Sequence, residues 1–285
     1  MNAVVIVVCA VLSVALGHAT AEAQLTTAAS GPIVYGHHHL NVTDVDAQKR
    51  FWTTLGGTPI KVGTSPAEIV KFANVFVFLT KRDPTGGTKG TTVNHLGFQV
   101  PDVQKAMDAA RAAGYAIVTR AEAPPTIEVK GDLAIVADQH TRIGYVMGPD
   151  EIKVELFENT AMTGPVALHH VHFASSSVGE MQAWYVKTFG AKAGKRGSFD
   201  AADLPGVNLT FSPTTDTVVG TKGRALDHIG FEVRGLEAFC KQLEANGVTL
   251  DRPYTKVPAL GVSIAFFTDP WGTYIELTEG LAAIP

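Results

Sequence analysis

The residues best equipped for chemistry are histidines and glutamates that recur in matching surroundings. Tyr35-Gly-His37-His38-His39-Leu-Asn-Val42 and His169-His170-Val-His172-Phe-Ala174 each place histidines two residues apart. In a strand, residues i and i+2 share a face, so His37 faces with His39 and His170 with His172, while His38 and His169 point the other way. Two further segments, Thr92-Val-Asn-His95-Leu-Gly-Phe-Gln-Val100 and Ala225-Leu-Asp-His228-Ile-Gly-Phe-Glu-Val233, share a histidine, an aliphatic residue, Gly and Phe in order. Late in each half, Ile152-Lys-Val-Glu155-Leu-Phe and Thr273-Tyr-Ile-Glu276-Leu-Thr set a glutamate between apolar neighbours. A carboxylate buried in such a strand needs a partner, because an unpaired buried charge is costly. Two neutral imidazoles and one carboxylate can hold a divalent cation and leave positions open for water or substrate.

The spacing shows what must position these groups. His37 to His95 spans 58 residues, His170 to His228 also spans 58, and both pairs are offset by 133 between the halves. Such self-similarity marks a repeated structural unit. Each histidine strand precedes an amphipathic helical pattern. Thr43 or Asp44 caps the first pattern, which carries Val45, Gln48, Phe51, Trp52 and Leu55; Asp102 starts the second. The third carries Val178, Met181, Trp184 and Tyr185 before Gly190, and the fourth Leu236, Phe239, Cys240 and Leu243 before Gly247. Short alternating segments follow, among them 74–79, 207–211 and 262–267. The unit is strand, helix and about three strands, four times over. Residues 159–165 read as a linker, which gives a first domain at 32–160 and a second at 167–280. Glu155 and Glu276 are 121 apart rather than 133, so the first half carries about twelve extra residues near 121–132. That insertion is either a flap over a cup or a solvated loop.

Bulk properties narrow the compartment and the partners. An apolar run from Ala3 to Gly17 followed by Ala21-Glu22-Ala23 reads as a signal peptide, residues 1–23, and implies an exported protein, periplasmic or extracellular. No Lys or Arg precedes Lys49, so the alternative is an N-terminal membrane anchor. The run is shorter than the ~20 apolar residues of a spanning helix, and no stable span is expected after cleavage. Cys240 is then the single cysteine, placed on an apolar helical stripe as core filling. A net charge of −4 without a basic run argues against a nucleic-acid partner. A small-molecule substrate is expected, acted on by a two-domain monomer or a homodimer.

The repeats, His228-Ile-Gly-Phe and the closing Asp269-Pro-Trp-Gly-Thr-Tyr-Ile-Glu276-Leu together resemble the vicinal oxygen chelate superfamily over about residues 32–280. That superfamily includes glyoxalase I, fosfomycin-resistance and bleomycin-binding proteins, and extradiol dioxygenases. The resemblance implies an α+β fold of four βαβββ modules forming two tandem domains, each a curved, mostly antiparallel cup with flanking helices. It implies metal ligands His170, His228 and Glu276 in the second domain, and His37, His95 and Glu155 in the first. The position of a further glutamate in glyoxalase I–like members falls on Phe78 and Phe211, which cannot ligate. Two His and one Glu then suggest a dioxygenase-like site, with Fe(II) favoured over Zn, Ni, Co or Mn. The alternatives are a glyoxalase-type lyase or isomerase and a non-enzymatic small-ligand binding protein. The extradiol signature before the last glutamate is incomplete. Phe266 stands where a Tyr is expected, and in the first half Gly148-Pro-Asp-Glu151 replaces the Asp-Pro-x-Gly turn, although His140 and Tyr145 lie nearby. His39, His172 and Tyr274 are the candidates for proton transfer.

Overall fold

The computed structural model describes residues 30–284, so the expected signal peptide lies outside the described residues. The first module is β1 (Ile33–Val42), α1 (Val45–Thr54), β2 (Thr58–Ile60), β3 (Glu68–Lys71) and β4 (Phe76–Lys81). The second is β5 (Val93–Val100), α2 (Val103–Ala112), β6 (Ala116–Ile117), α3 (Thr119–Glu122), β7 (Glu128–Lys130), β8 (Leu133–Val136), β9 (Thr141–Met147) and β10 (Lys153–Glu158). The third is β11 (Ala167–Ser175), α4 (Val178–Phe189), β12 (Lys192–Arg196), β13 (Phe199–Leu204) and β14 (Val207–Pro213). The fourth is β15 (Leu226–Val233), α5 (Leu236–Ala245), β16 (Leu250–Val257), β17 (Val262–Thr268) and β18 (Tyr274–Glu279). The Asp44 side chain accepts from the Ala47 N–H and Asp102 from the Lys105 N–H, which satisfies otherwise unpaired donors in the first turns of α1 and α2.

Two curved sheets result, as expected for an α+β fold of this type. The first runs β16-β17-β18-β15-β1-β4-β3-β2 and the second β12-β13-β14-β11-β5-β10-β9-β8-β7, with β6 beside β9. Their composition corrects the expected domains. Neither 32–160 nor 167–280 closes a cup by itself: β1 pairs antiparallel with β15, and β5 with β11. Each cup therefore takes one module from each half of the chain.

The reason lies in where the apolar faces go. Modules consecutive in sequence pack back to back between the sheets: Trp52 and Phe72 of the first meet Phe98 of the second, and Phe51 meets Tyr115. Phe189 and Trp184 of the third meet Phe231 and Phe267 of the fourth. These rings belong to one core that runs between both sheets, where each fully buried large side chain contributes roughly 1.5–3 kcal/mol. With 1 against 2 and 3 against 4 in that layer, the edge of β1 is left to meet β15, and that of β5 to meet β11. Smaller apolar clusters line the concave faces: Phe76, Phe78, Val262, Ile264 and Phe266 in the first cup, and Val136, Ile143 and Tyr145 in the second.

The inserted segment becomes the end of α3 and β7, and Glu122, Pro124 and Ile127 line the cavity of the second cup. His38 faces the core as expected, with the Tyr35 hydroxyl 2.8 Å from its Nδ1. His169 does not point away. A bulge between Leu168 and His170 leaves its ring stacked on Phe157, two residues from Glu155.

Candidate metal centre

Register alone assembles the first cup. β1 sets His37 opposite Gly230, and β18, on the other side of β15, sets Glu276 opposite the same glycine. Their side chains converge over a residue that has none. A Cβ at Gly230 would lie 2.0 Å from His37 Cε1, so the glycine of the His-x-Gly-Phe repeat makes room for a ring from the opposite half. The second cup repeats this: His170 and Glu155 both face Gly97, where a Cβ would lie 1.9 Å from His170 Cε1.

The groupings His37–His95–Glu155 and His170–His228–Glu276 are therefore corrected. All six side chains are buried, but they gather as His37, His228 and Glu276 in one cup, and as His95, His170, His172 and Glu155 in the other. Within each group the nearest donor atoms lie within 4.8 Å of one another. The physical reason is the module exchange, which puts His37 beside β15 and His170 beside β5.

In the first cup His37 Nε2 and His228 Nε2 each lie 2.8 Å from Glu276 Oε2. His228 Nδ1 lies 2.7 Å from Asp227 Oδ2. A carboxylate only accepts, so Nδ1 carries the hydrogen and the Nε2 electron pair faces Glu276. Two acceptors at that distance need a positive charge between them, either a proton or a metal ion. Burial opposes charge on His228, but the Asp227 and Glu276 hydrogen bonds outweigh it and raise its pKa. Burial pushes the Glu276 carboxyl up, and the imidazoles of His37 and His228 more than reverse this, holding it well below the usual carboxylate range. Asp227, pushed up by burial and brought down by His228, falls to about 2 and also accepts from Asn41 Nδ2 and the Gly223 N–H. His37 Nδ1 is buried without a partner. Two imidazoles, one carboxylate and a carboxylate behind one imidazole fit a divalent cation. Asp227 was missed in the sequence, although its place directly before the repeated histidine was visible.

Phe78 stands opposite His39 on the parallel β1–β4 pair, as Glu276 stands opposite Gly230. It thus occupies the further-glutamate position as expected, its ring 5.2 Å from that of His37. In the second cup that position is Thr210, opposite His172. Phe211 is one residue off and points into the core against Phe173 and Tyr185.

His39 and Tyr274 both flank His228, with ring centres 4.6 and 5.6 Å away. Burial lowers the His39 pKa to about 3, and its Nε2 lies 2.6 Å from Thr80 Oγ1. His172 belongs to the other cup, 4.4 Å from the His95 ring. His140 is exposed at a turn with φ of 50° and takes no part in either group. Two adjoining cavities of about 220 and 330 Å³ open on the first cup and share His39, Arg252 and Phe266.

The second cup has a cavity of about 380 Å³ and a different charge pattern. His95 Nδ1 lies 2.9 Å from Asn94 Oδ1, and its Nε2 is 3.1 Å from Glu155 Oε2. The Tyr145 hydroxyl donates to the same oxygen at 2.8 Å, and Arg196 Nη2 donates to Oε1 at 3.2 Å. Burial would raise the Glu155 carboxyl, but His170, His95 and Arg196 hold it well below the usual range. Arg196 has no counterpart in the sequence repeats and carried no signal there.

Comparison with known proteins agrees with this architecture. Residues 167–277 match the Glyoxalase/Bleomycin resistance protein/Dioxygenase superfamily. This segment contains His170, His228 and Glu276, although the three do not form one site. No curated protein matches the chain significantly in sequence. Among solved structures, glyoxalase I from Zea mays superposes with a TM-score of 0.64 at 19% identity, over 88% of this chain and 94% of that one. A "putative dioxygenase" from Bacillus subtilis superposes with a TM-score of 0.62 at 14% identity, over 87% of each chain. At these identities the likeness is one of fold, and it spans both halves of the chain. Among the described residues no helix is long and apolar enough to cross a membrane.

Proposed function

We propose that the protein is an exported, divalent-metal-dependent enzyme of dioxygenase-like type that acts on a small organic molecule in the first cup. One observation carries this reading: His37, His228 and Glu276 converge from three neighbouring strands, while Phe78 fills the position where a second carboxylate would close the set. Two imidazoles and one carboxylate leave coordination positions open, and Fe(II) is the metal such sites favour. When bound, the metal supplies Lewis-acid stabilisation to vicinal oxygens of the substrate and a site for oxygen.

The chain's own groups do the rest. Asp227 fixes the His228 ring so that Nε2 faces the cup. Phe78, Phe266 and Ile264 exclude water from one wall and hold an apolar ring system. His39, kept neutral by burial and within hydrogen-bonding distance of Thr80, is placed to accept a hydrogen bond from a substrate hydroxyl, and Tyr274 borders the adjoining cavity as a donor. Arg252 on the rim offers charge to an acidic substituent.

Anaerobic loading with Fe(II), followed by oxygen uptake in the presence of a panel of catechols, tests this. Uptake that depends on Fe(II) and is lost in Glu276→Gln supports it. No uptake, with turnover of hemithioacetals under Ni(II), Co(II) or Zn(II), would assign the cup to the glyoxalase type instead.

A further inference from the structure

The two cups share a plan but differ in charge: neutral Asn94 stands behind His95 where Asp227 stands behind His228, and only the second cup sets an arginine against its glutamate. In the first, the ion pairs of Glu276 among the described residues are with His37 and His228, and Arg252, a basic side chain lining the cavity, is exposed. In the second, β12 ends at Arg196 and turns sharply at Gly197, with φ of 55°. The returning β13 pairs Phe199 with Arg196 and carries the hairpin along the wall of the cup. This sends the guanidinium inward. Its side chain is 10% exposed, Nη2 donates to Glu155 Oε1 at 3.2 Å, and Nη1 donates to Thr210 Oγ1 at 3.3 Å. The planar group also lies over the Phe157 ring, 5.5 Å from its centre.

Both oxygens of Glu155 are engaged by these contacts. One oxygen takes Arg196, and the other takes the Tyr145 hydroxyl and faces His95. Thr210, at the register position where a further ligand could stand, is itself engaged by Arg196 and donates to Asn208 Oδ1 at 2.6 Å. A guanidinium is a fixed positive charge, which cannot be displaced as a proton can. A divalent ion between His95, His170 and Glu155 would face that fixed charge at close range, in a buried setting with little screening.

We infer that Arg196 takes the place of the cation in the second cup, so that the chain binds one divalent metal, in the first cup, and the second is a metal-free pocket built on an ion pair. This rests on the proposed reading only in taking the first cup as the metal centre. The pocket keeps its volume and is lined by His172, Arg196, Phe199 and Tyr145. Since the ion pair already cancels the charge of Glu155, an uncharged small molecule is what this pocket would take.

Titration of the metal-free full-length protein with Co(II) alone, followed by calorimetry and by the visible ligand-field bands, tests the inference. Wild type is expected to bind one equivalent, which Glu276→Gln removes and Glu155→Gln leaves in place. Arg196→Met is expected to bind one equivalent more than wild type, and adding Glu155→Gln to it should abolish that gain. Because exposed histidines of an unfolded chain also bind metal, the gain is read on protein shown to be folded by circular dichroism and by its loss in the double variant. Two equivalents in wild type, or no gain in Arg196→Met, would overturn the inference. Absence of metal from the first cup in wild type would instead count against the proposed function, while the Arg196→Met gain would still be read on its own.

Discussion

Gly230 shows how one missing side chain can determine a site. Its neighbour across the sheet, His37, occupies the space a methyl group would need. Gly230→Ala must push the His37 ring aside or distort β15, at a cost of about 1–3 kcal/mol. We expect metal affinity in the first cup to fall at least tenfold by competition with a chelator, whereas Gly97→Ala, which displaces His170, leaves it unchanged. Asp227 acts through His228 by holding its ring and raising its basicity. Asp227→Asn is expected to weaken metal binding by about 10–100-fold, with the far-ultraviolet circular dichroism unchanged. The ligand types were legible in the sequence because histidine and glutamate recur in matching surroundings. Asp227 was equally visible beside its histidine. Arg196 was not, because nothing in an irregular hairpin foretells which way a long side chain turns.

Among the elements, the turn between β17 and β18 couples the cups. Asp269 accepts the N–H groups of Trp271 and Thr273, and the fully buried Tyr185 hydroxyl of α4 donates to its other oxygen at 2.9 Å. A helix of the third module thus pins the turn that launches Glu276. Tyr185→Phe leaves a buried carboxylate oxygen without that donor, and we expect a loss of about 1–3 kcal/mol of stability as a lower denaturant midpoint. The matching turn of the first half lacks this device. Asp150 there holds a left-handed backbone, φ 56°, and accepts from Thr43 instead. Strands, helices and caps were readable from periodicity. The bulge at His169 and the one-residue displacement of Phe211 were not, because register depends on strand pairing that no local pattern records.

For the whole molecule, the repeats revealed four equivalent units but not which would be neighbours. Equivalent strands present equivalent edges, and the choice was made by the aromatic layer between the sheets. The same burial gives the fold a pH signature. Burial lowers the pKa of His38, His39, His95, His169, His170 and His172 below the ordinary 6.5, whereas hydrogen bonds to Asp227 and Glu276 overcome burial and raise that of His228. Below 6.5 the unfolded chain takes up protons that the six lowered imidazoles refuse when folded, so stability falls as pH drops. His228 has the opposite sign, adding stability that is fully present below 6.5 and lost as pH rises through its raised value. Six outweigh one, and the metal-free protein is expected to unfold at a lower temperature at pH 5 than at pH 7. An equal or higher midpoint at pH 5 would contradict that balance.

The central claim is that one metal centre joins opposite ends of the chain, His37 with His228 and Glu276. Metal content of His37→Ala, measured on folded protein beside wild type and His170→Ala, tests it most directly. We predict that His37→Ala loses the metal and His170→Ala keeps it. Metal retained in His37→Ala but lost from His170→Ala would restore the grouping by sequence halves and contradict the account.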